Sequence, residues 1–84
     1  MNQVILVGRI NKFDKLAGII SIECRREGTD ETDRVPIKFK DELLEVTKEH
    51  LEDGMTIGVK ATLKVDNNVL RIIADKVIFI SKKE

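Results

Sequence analysis

Apolar and polar residues alternate with a period of two along most of this chain, with one interruption past its middle. Over 19–26, Ile20, Ile22 and Cys24 fall on one face and Ser21, Glu23 and Arg25 on the other, the pattern of a half-buried strand. Over 34–40, Val35, Ile37 and Phe39 oppose Arg34, Pro36, Lys38 and Lys40. Over 55–65, Ile57, Val59, Ala61, Leu63 and Val65 oppose Thr56, Gly58, Lys60, Thr62 and Lys64. Asp66-Asn67-Asn68 then gives a tight hairpin signal, because asparagine tolerates positive φ. A last strand follows over 69–80, bent or broken near Asp75-Lys76.

The first strand, over 2–10, has a different pattern. Val4, Ile5, Leu6 and Val7 form a continuous, β-branched apolar run, which predicts burial on both faces. A small barrel has one interior, so the second apolar face requires another partner, such as a neighbouring subunit. Gly8 predicts a bulge or bend. Residues 11–18 read as a loop and 27–33 as a polar turn. Pro36 cannot donate to a ladder, so the third strand lies at an edge or is irregular there.

The interruption comes at 41–53. Asp41 is a good N-cap, Leu43, Leu44, Val46, Thr47 and Leu51 recur at helical spacing, and Gly54 follows as a stop, which predicts an amphipathic helix of about three turns. The element order is therefore β-β-β-α-β-β. A helix between the third and fourth strands of a five-stranded barrel is the OB-fold arrangement. An open α+β sheet with the helix on one side fits the same pattern. With 84 residues, the chain suits one domain over 1–84 and is too short for two.

Charge sharpens this picture. The 15 Lys and Arg balance the 15 Asp and Glu. Residues 41–53, however, set six carboxylates against Lys48 alone, a net of −5, so the rest of the chain carries +5. Cys24 and His50 are the only cysteine and histidine, which leaves no internal disulfide, no cysteine-based zinc site and little material for nucleophilic catalysis. Cys24 alternates with Ile20 and Ile22, as a buried thiol does. No P-loop, GxGxxG or HExxH occurs. These features point away from an enzyme and imply no cofactor. No apolar run approaches the ~20 residues of a membrane span, and no signal peptide is visible; the expected location is cytoplasmic.

Four segments, in order, resemble the bacterial single-stranded-DNA-binding family over nearly the whole chain. NQVILVGRI is similar to that family's first strand, DRVPIKFKDELLEVTKEHLEDG to its third strand and helix, MTIGVKATLKV to its fourth strand and IIADKVIFI to its closing strand. The resemblance implies an OB barrel that binds single-stranded DNA with little sequence preference in replication, recombination or repair. It also implies a homo-oligomer, dimer or tetramer, with the first strand at a subunit contact. The departures are informative. The family stacks bases on aromatics around its third strand, whereas this chain has only Phe13, Phe39 and Phe79 and places Arg34 and Lys40 at the two corresponding positions. The long loop between strands four and five shrinks to Asp66-Asn67-Asn68, and the family's linker and acidic tail are missing. Primosomal replication protein N is a small tailless relative. It supports an alternative: a protein-interaction module of a replication or restart complex, with weak or no DNA binding.

Single-strand binders combine a positive groove with flat side chains, base stacking being worth ~1–3 kcal/mol per base. The expected groove is the outward face of strands two to five. Arg25, Arg34, Lys38, Lys40, Lys60, Lys64 and Arg71 would contact phosphates there, and Arg34 would also stack. Arg9 and Lys12 would flank one end. Phe13 is the aromatic candidate for stacking, with anchoring of the first loop as its other reading. Phe39 and Phe79 are assigned to the core.

Overall fold

A computed structural model describes residues 2–82. The elements follow the expected order: β1 (Val4–Asp14), β2 (Ile19–Arg25), β3 (Thr32–Phe39), α1 (Asp41–Thr47), β4 (Thr56–Asp66) and β5 (Val69–Ser81). The strands close a barrel in the order β1-β2-β3-β5-β4. This is the OB arrangement, and it eliminates the open sheet.

Closure depends on β1, which serves two neighbours. Its first half pairs with β4, from Val4↔Ala61 to Arg9↔Thr56. Its second half pairs with β2, from Arg9↔Glu23 to Asp14↔Ile19. A strand that changes partners must curl, and two local features permit this. Gly8 is buried, and a Cβ there would run into the carbonyl oxygen of Glu23 and lie 3.3 Å from Cys24 Sγ. A bulge between Ile10 and Lys12 then shifts the register, and bulges sharpen local twist. The bulge also explains why the sequence pattern ends this strand at Ile10. Asn11 breaks the period of two, and the strand resumes with Phe13 inward and runs on to Asp14.

The inward positions of all five strands form the core: Ile10, Ile20, Ile22, Ile37, Phe39, Ile57, Val59, Ala61 and Ala74, with Leu51 below them. Each large member contributes about 1.5–3 kcal/mol by leaving water. Phe13 packs on this cluster with its ring tilted 46° against Phe39, centroids 5.6 Å apart.

Three expectations need correction. The helix has two turns rather than three, and Lys40 rather than Asp41 is its N-cap, with no side-chain cap bond. Leu43 and Leu44 reach the core while Val46 stays exposed. At about 100° per residue, Val46 lies roughly 110° from the centre of the Leu43-Leu44-Thr47 stripe. Phe79 is 52% exposed rather than core. Beyond Ala74, β5 has only β4 beside it, because β3 meets β5 at just Lys38↔Ile73 and Phe39↔Ala74. That two-pair contact, parallel in sense, also explains Pro36, which has a ladder partner only in Ser21 of β2. Finally, Val65 is exposed rather than core. The β4–β5 hairpin continues to Asp66↔Val69, and its end overhangs the barrel with nothing beneath it. Asn67 (φ 50°) and Asn68 (φ 64°) close it in the left-handed geometry of a type I′ turn.

Candidate nucleic-acid interface

The register sorts the outward cations into two groups. Across β1, β2 and β3 lie Arg9 beside Glu23, Glu23 beside Arg34, Lys12 beside Ser21, and Arg25 beside Thr32. Across β4 and β5, Lys60 stands opposite Lys76 and Lys64 opposite Arg71, with Thr62 opposite Ile73 between them. Lys38 joins the groups, because its parallel pairing with Ile73 continues the row from Ile19 through Lys38 and Ile73 to Thr62.

The two groups differ in what their charges already touch. On the β2–β3 side, Arg25 is held by its own turn: Nη2 donates to Asp30 at 3.0 Å and Nε to the Thr29 carbonyl at 3.0 Å. Arg34 Nε lies 3.9 Å from Glu23 Oε1. Lys38 Nζ donates to the Ala17 carbonyl at 2.6 Å. On the β4–β5 side, Lys60, Lys64, Arg71 and Lys76 make no ion pair among the described residues, nor do Arg9 and Lys12. Like charges directly opposite across a ladder repel, and this hairpin carries two such pairs on one face. Lys60 and Lys64 are four positions apart, about 13 Å of strand, enough to hold separate phosphates.

Lys40 lies just past β3 and is engaged differently. Its Nζ sits 2.8 Å from Asp75 Oδ1, and Thr62 Oγ1 donates to Asp75 Oδ2 at 2.6 Å. These two contacts hold the Asp75 carboxyl below the ordinary carboxylate value, with Lys60 adding to the effect. Lys40, Thr62, Leu63, Lys64 and Ile73 line a shallow cavity of about 370 Å³ beside this pair.

The sequence pattern names Lys60, Lys64 and Arg71, which share one face of this hairpin, but passes over Lys76 and Asp75. The signal for both was the break in periodicity at Asp75-Lys76. It marks a β-bulge, since Lys60 pairs with Lys76 and Ala61 with Ala74. Phe13 is turned toward Phe39 and lines a cavity with Lys15, Leu51, Glu52 and Asp53. Its backbone N–H donates to Asp53 at 3.1 Å.

The turn between β2 and β3 is acidic and closed on itself. Arg26 donates to both oxygens of Asp33 and to Glu31 at 2.7 Å, and these contacts hold the Asp33 carboxyl low. Cys24 is half-buried rather than fully buried, and burial, followed by the nearby Asp33 charge, pushes its thiol up, so it stays protonated at neutral pH. Among the described residues no group of three or more His, Cys, Asp or Glu is placed to hold a metal ion.

Next to these cations, the outer surface turns apolar where β1 pairs with β4, with Ile5 standing directly beside Lys60. Ile5 (75% exposed), Val7, Ile78 and Ile80 surround Gly58 in a depression of about 260 Å³, with Lys60 and Lys76 at its edge. The doubly apolar first strand predicted from sequence thus has one face in the core and the other uncovered.

No protein-family model and no curated protein sequence matches this chain. Solved structures do. The mitochondrial single-stranded-DNA-binding protein of S. cerevisiae superposes with a TM-score of 0.80 at 18% identity, over 95% of this chain and 94% of that one. The N-terminal domain of PriB from Thermoanaerobacter tencongensis, solved as a dimer, gives 0.73 at 24% identity over 96% and 98%. An OBody bound to hen egg-white lysozyme gives 0.64 at 17% identity over 98% and 97%. The mitochondrial match overturns the cytoplasmic expectation: this fold serves inside an organelle. The two sequence features behind that expectation, no apolar span and no signal peptide, do not distinguish the cytoplasm from an organelle interior. Likenesses at these identities establish architecture, and the architecture they establish for this chain is the OB fold.

Proposed function

We propose that this protein binds single-stranded DNA with little sequence preference, through phosphate contacts made chiefly by the outer face of β4 and β5. The observation that carries this reading is the double row of cations without ion pairs, Lys60 opposite Lys76 and Lys64 opposite Arg71. A polyanion relieves their mutual repulsion. Arg9 and Lys12 extend the basic surface around β1, Lys38 links it to β3, and Arg34 remains the planar group available for stacking. Arg25 is already neutralised by Asp30 and contributes least. Phe13 serves the core in this reading. The printed description of the yeast relative as a single-stranded-DNA-binding protein supports it.

The uncovered apolar face along β1 suits a second copy of the chain, forming a homo-oligomer through the first strand. The dimeric PriB domain supports that assembly. A second reading, a protein-interaction module in a replication or restart complex, draws on the neutralised β2–β3 face and on the absence of an aromatic from it. The OBody, an OB barrel bound to a protein, shows that the fold admits such use.

Fluorescence anisotropy with oligo-dT of about 35 nucleotides, long enough for more than one OB domain, separates the readings. A DNA binder loses affinity steeply between about 50 and 200 mM salt, because phosphate contacts release counterions. Substituting Lys64→Glu with Arg71→Glu should abolish most of that binding, whereas Arg25→Glu should change it little. No binding by the unaltered protein at 50 mM salt would remove the DNA reading and leave the interaction module.

A further inference from the structure

Asp75 is a carboxylate placed among the lysines of the basic face, where a surface built only to attract phosphate would have none. Both of its oxygens are occupied, Oδ1 by Lys40 Nζ at 2.8 Å and Oδ2 by the Thr62 hydroxyl at 2.6 Å. The three groups come from three different parts of the barrel. β5 puts the carboxylate there with an extra residue: Ala61 pairs with Ala74 and Lys60 with Lys76, which leaves Asp75 as the bulged position. Bulges characteristically re-aim a side chain in this way. The Thr62 hydroxyl fixes the carboxylate, so the ion pair needs little further ordering. Asp75 is the less exposed partner, its side chain 28% accessible against 60% for Lys40. The carboxylate therefore stays in place, and the lysine is the group a ligand would have to pull away.

We infer that Asp75 acts as an internal competitor for the nucleic-acid backbone, holding Lys40 in an ion pair and keeping that lysine off the phosphates of a bound strand. This rests on the DNA-binding reading of the face. The bound strand then contacts Lys60, Lys64, Arg71 and Lys76, which have no such pair among the described residues, and passes Lys40 by. The affinity of the face is set below what its lysines would otherwise give. Low pH does not release this restraint within the physiological range, because Lys40 and then Thr62 hold the carboxyl below its ordinary value.

The test measures oligo-dT affinity against salt for the unaltered protein, Asp75→Asn, Lys40→Gln and the double variant. Each phosphate contact on a single strand adds about 0.7 to the slope of log affinity against log salt. Asp75→Asn should bind more tightly at low salt and steepen the slope by about 0.7. That change enlarges the ratio of affinities at 50 and 200 mM salt by about threefold. Lys40→Gln should bind somewhat more weakly, because Asp75 is left uncompensated, but with an unchanged slope. The double variant should return to the original slope. Two results would overturn the inference while leaving DNA binding intact: an Asp75→Asn protein with unaltered affinity and slope, or a Lys40→Gln protein whose slope falls by about 0.7. A purely structural role for the pair predicts the first of these, with a lower melting temperature. If Asp75→Asn does not fold, the Lys40→Gln slope alone decides. No binding by the unaltered protein would instead remove the DNA reading itself, and this inference with it.

Discussion

Gly8 shows how tightly one position can be specified. It lies where β1 leaves β4 for β2, and the space a Cβ would need is occupied by the backbone of Glu23. Backbone cannot rotate aside as the end of a flexible side chain can. Gly8→Ala should therefore cost about 1–3 kcal/mol, the usual penalty for overfilling a packed site, read as a lower urea midpoint. An unchanged midpoint would mean that β1 and β2 can separate locally without loss. The sequence marked Gly8 for a bulge or a bend; the register shift itself falls later, between Ile10 and Lys12, and Gly8 allows the close approach of Glu23. A glycine in a strand looks alike whether it permits a bend or a close approach. The same ambiguity hid the competitor on the basic face. Asp75 reads as one charge in a mixed strand until the register shows which lysines surround it.

At the scale of elements, the turn between β2 and β3 is held by ion pairs. Arg26 holds Asp33 and Glu31, and Arg25 holds Asp30. The hydrogen bonds from Arg26 are the main reason the Asp33 carboxyl sits below its ordinary value of 3.8. A carboxyl depressed in the folded state binds fewer protons there than when unfolded. The stability it contributes is therefore complete above that ordinary value and is lost as pH falls through the lowered one. Asp75 behaves in the same sense. Urea midpoints measured on descending pH should show an extra acid loss below about pH 4 that Arg26→Gln diminishes. Parallel acid curves for the two proteins would show that the Arg26 contacts add nothing, as many exposed pairs do. The strands themselves were legible wherever one face is buried and the other wet, as in β2 and β3. The ends were not. β1 hides four residues behind a bulge, and the overhanging hairpin carries Val65 and Leu70 with a core-like alternation and no core beneath them.

Across the whole molecule, the one helix among the described residues, lying between the third and fourth strands, pointed to a barrel without excluding an open sheet, and only the pairing of β1 with β4 and of β3 with β5 decides for closure. The candidate interface was half legible. The residues were nameable from alternation, but their availability was not, since it depends on partners brought in by turns: Asp30 for Arg25, and the Ala17 carbonyl for Lys38. Charge counting alone treats these as equal to Lys64 and Arg71, which the fold leaves open.

The apolar patch of Ile5, Val7, Ile78 and Ile80 has a consequence for valency. If two copies meet there about a two-fold axis, each brings the same elements to the contact, and Lys60 and Lys76 at the patch edge flank the seam on both copies. Two tracks then become one surface with twice the reach. A strand long enough to engage both binds the second at a high effective concentration, which can exceed either single affinity by about 10²–10⁴ without any new contact. We predict that doubling oligo length past one site raises affinity far more than twofold. Val7→Asn, which adds no charge beside Lys60, should abolish both that gain and self-association in sedimentation, while leaving affinity for a short oligo unchanged. A length dependence that survives in a Val7→Asn monomer would show that one barrel alone carries the longer strand.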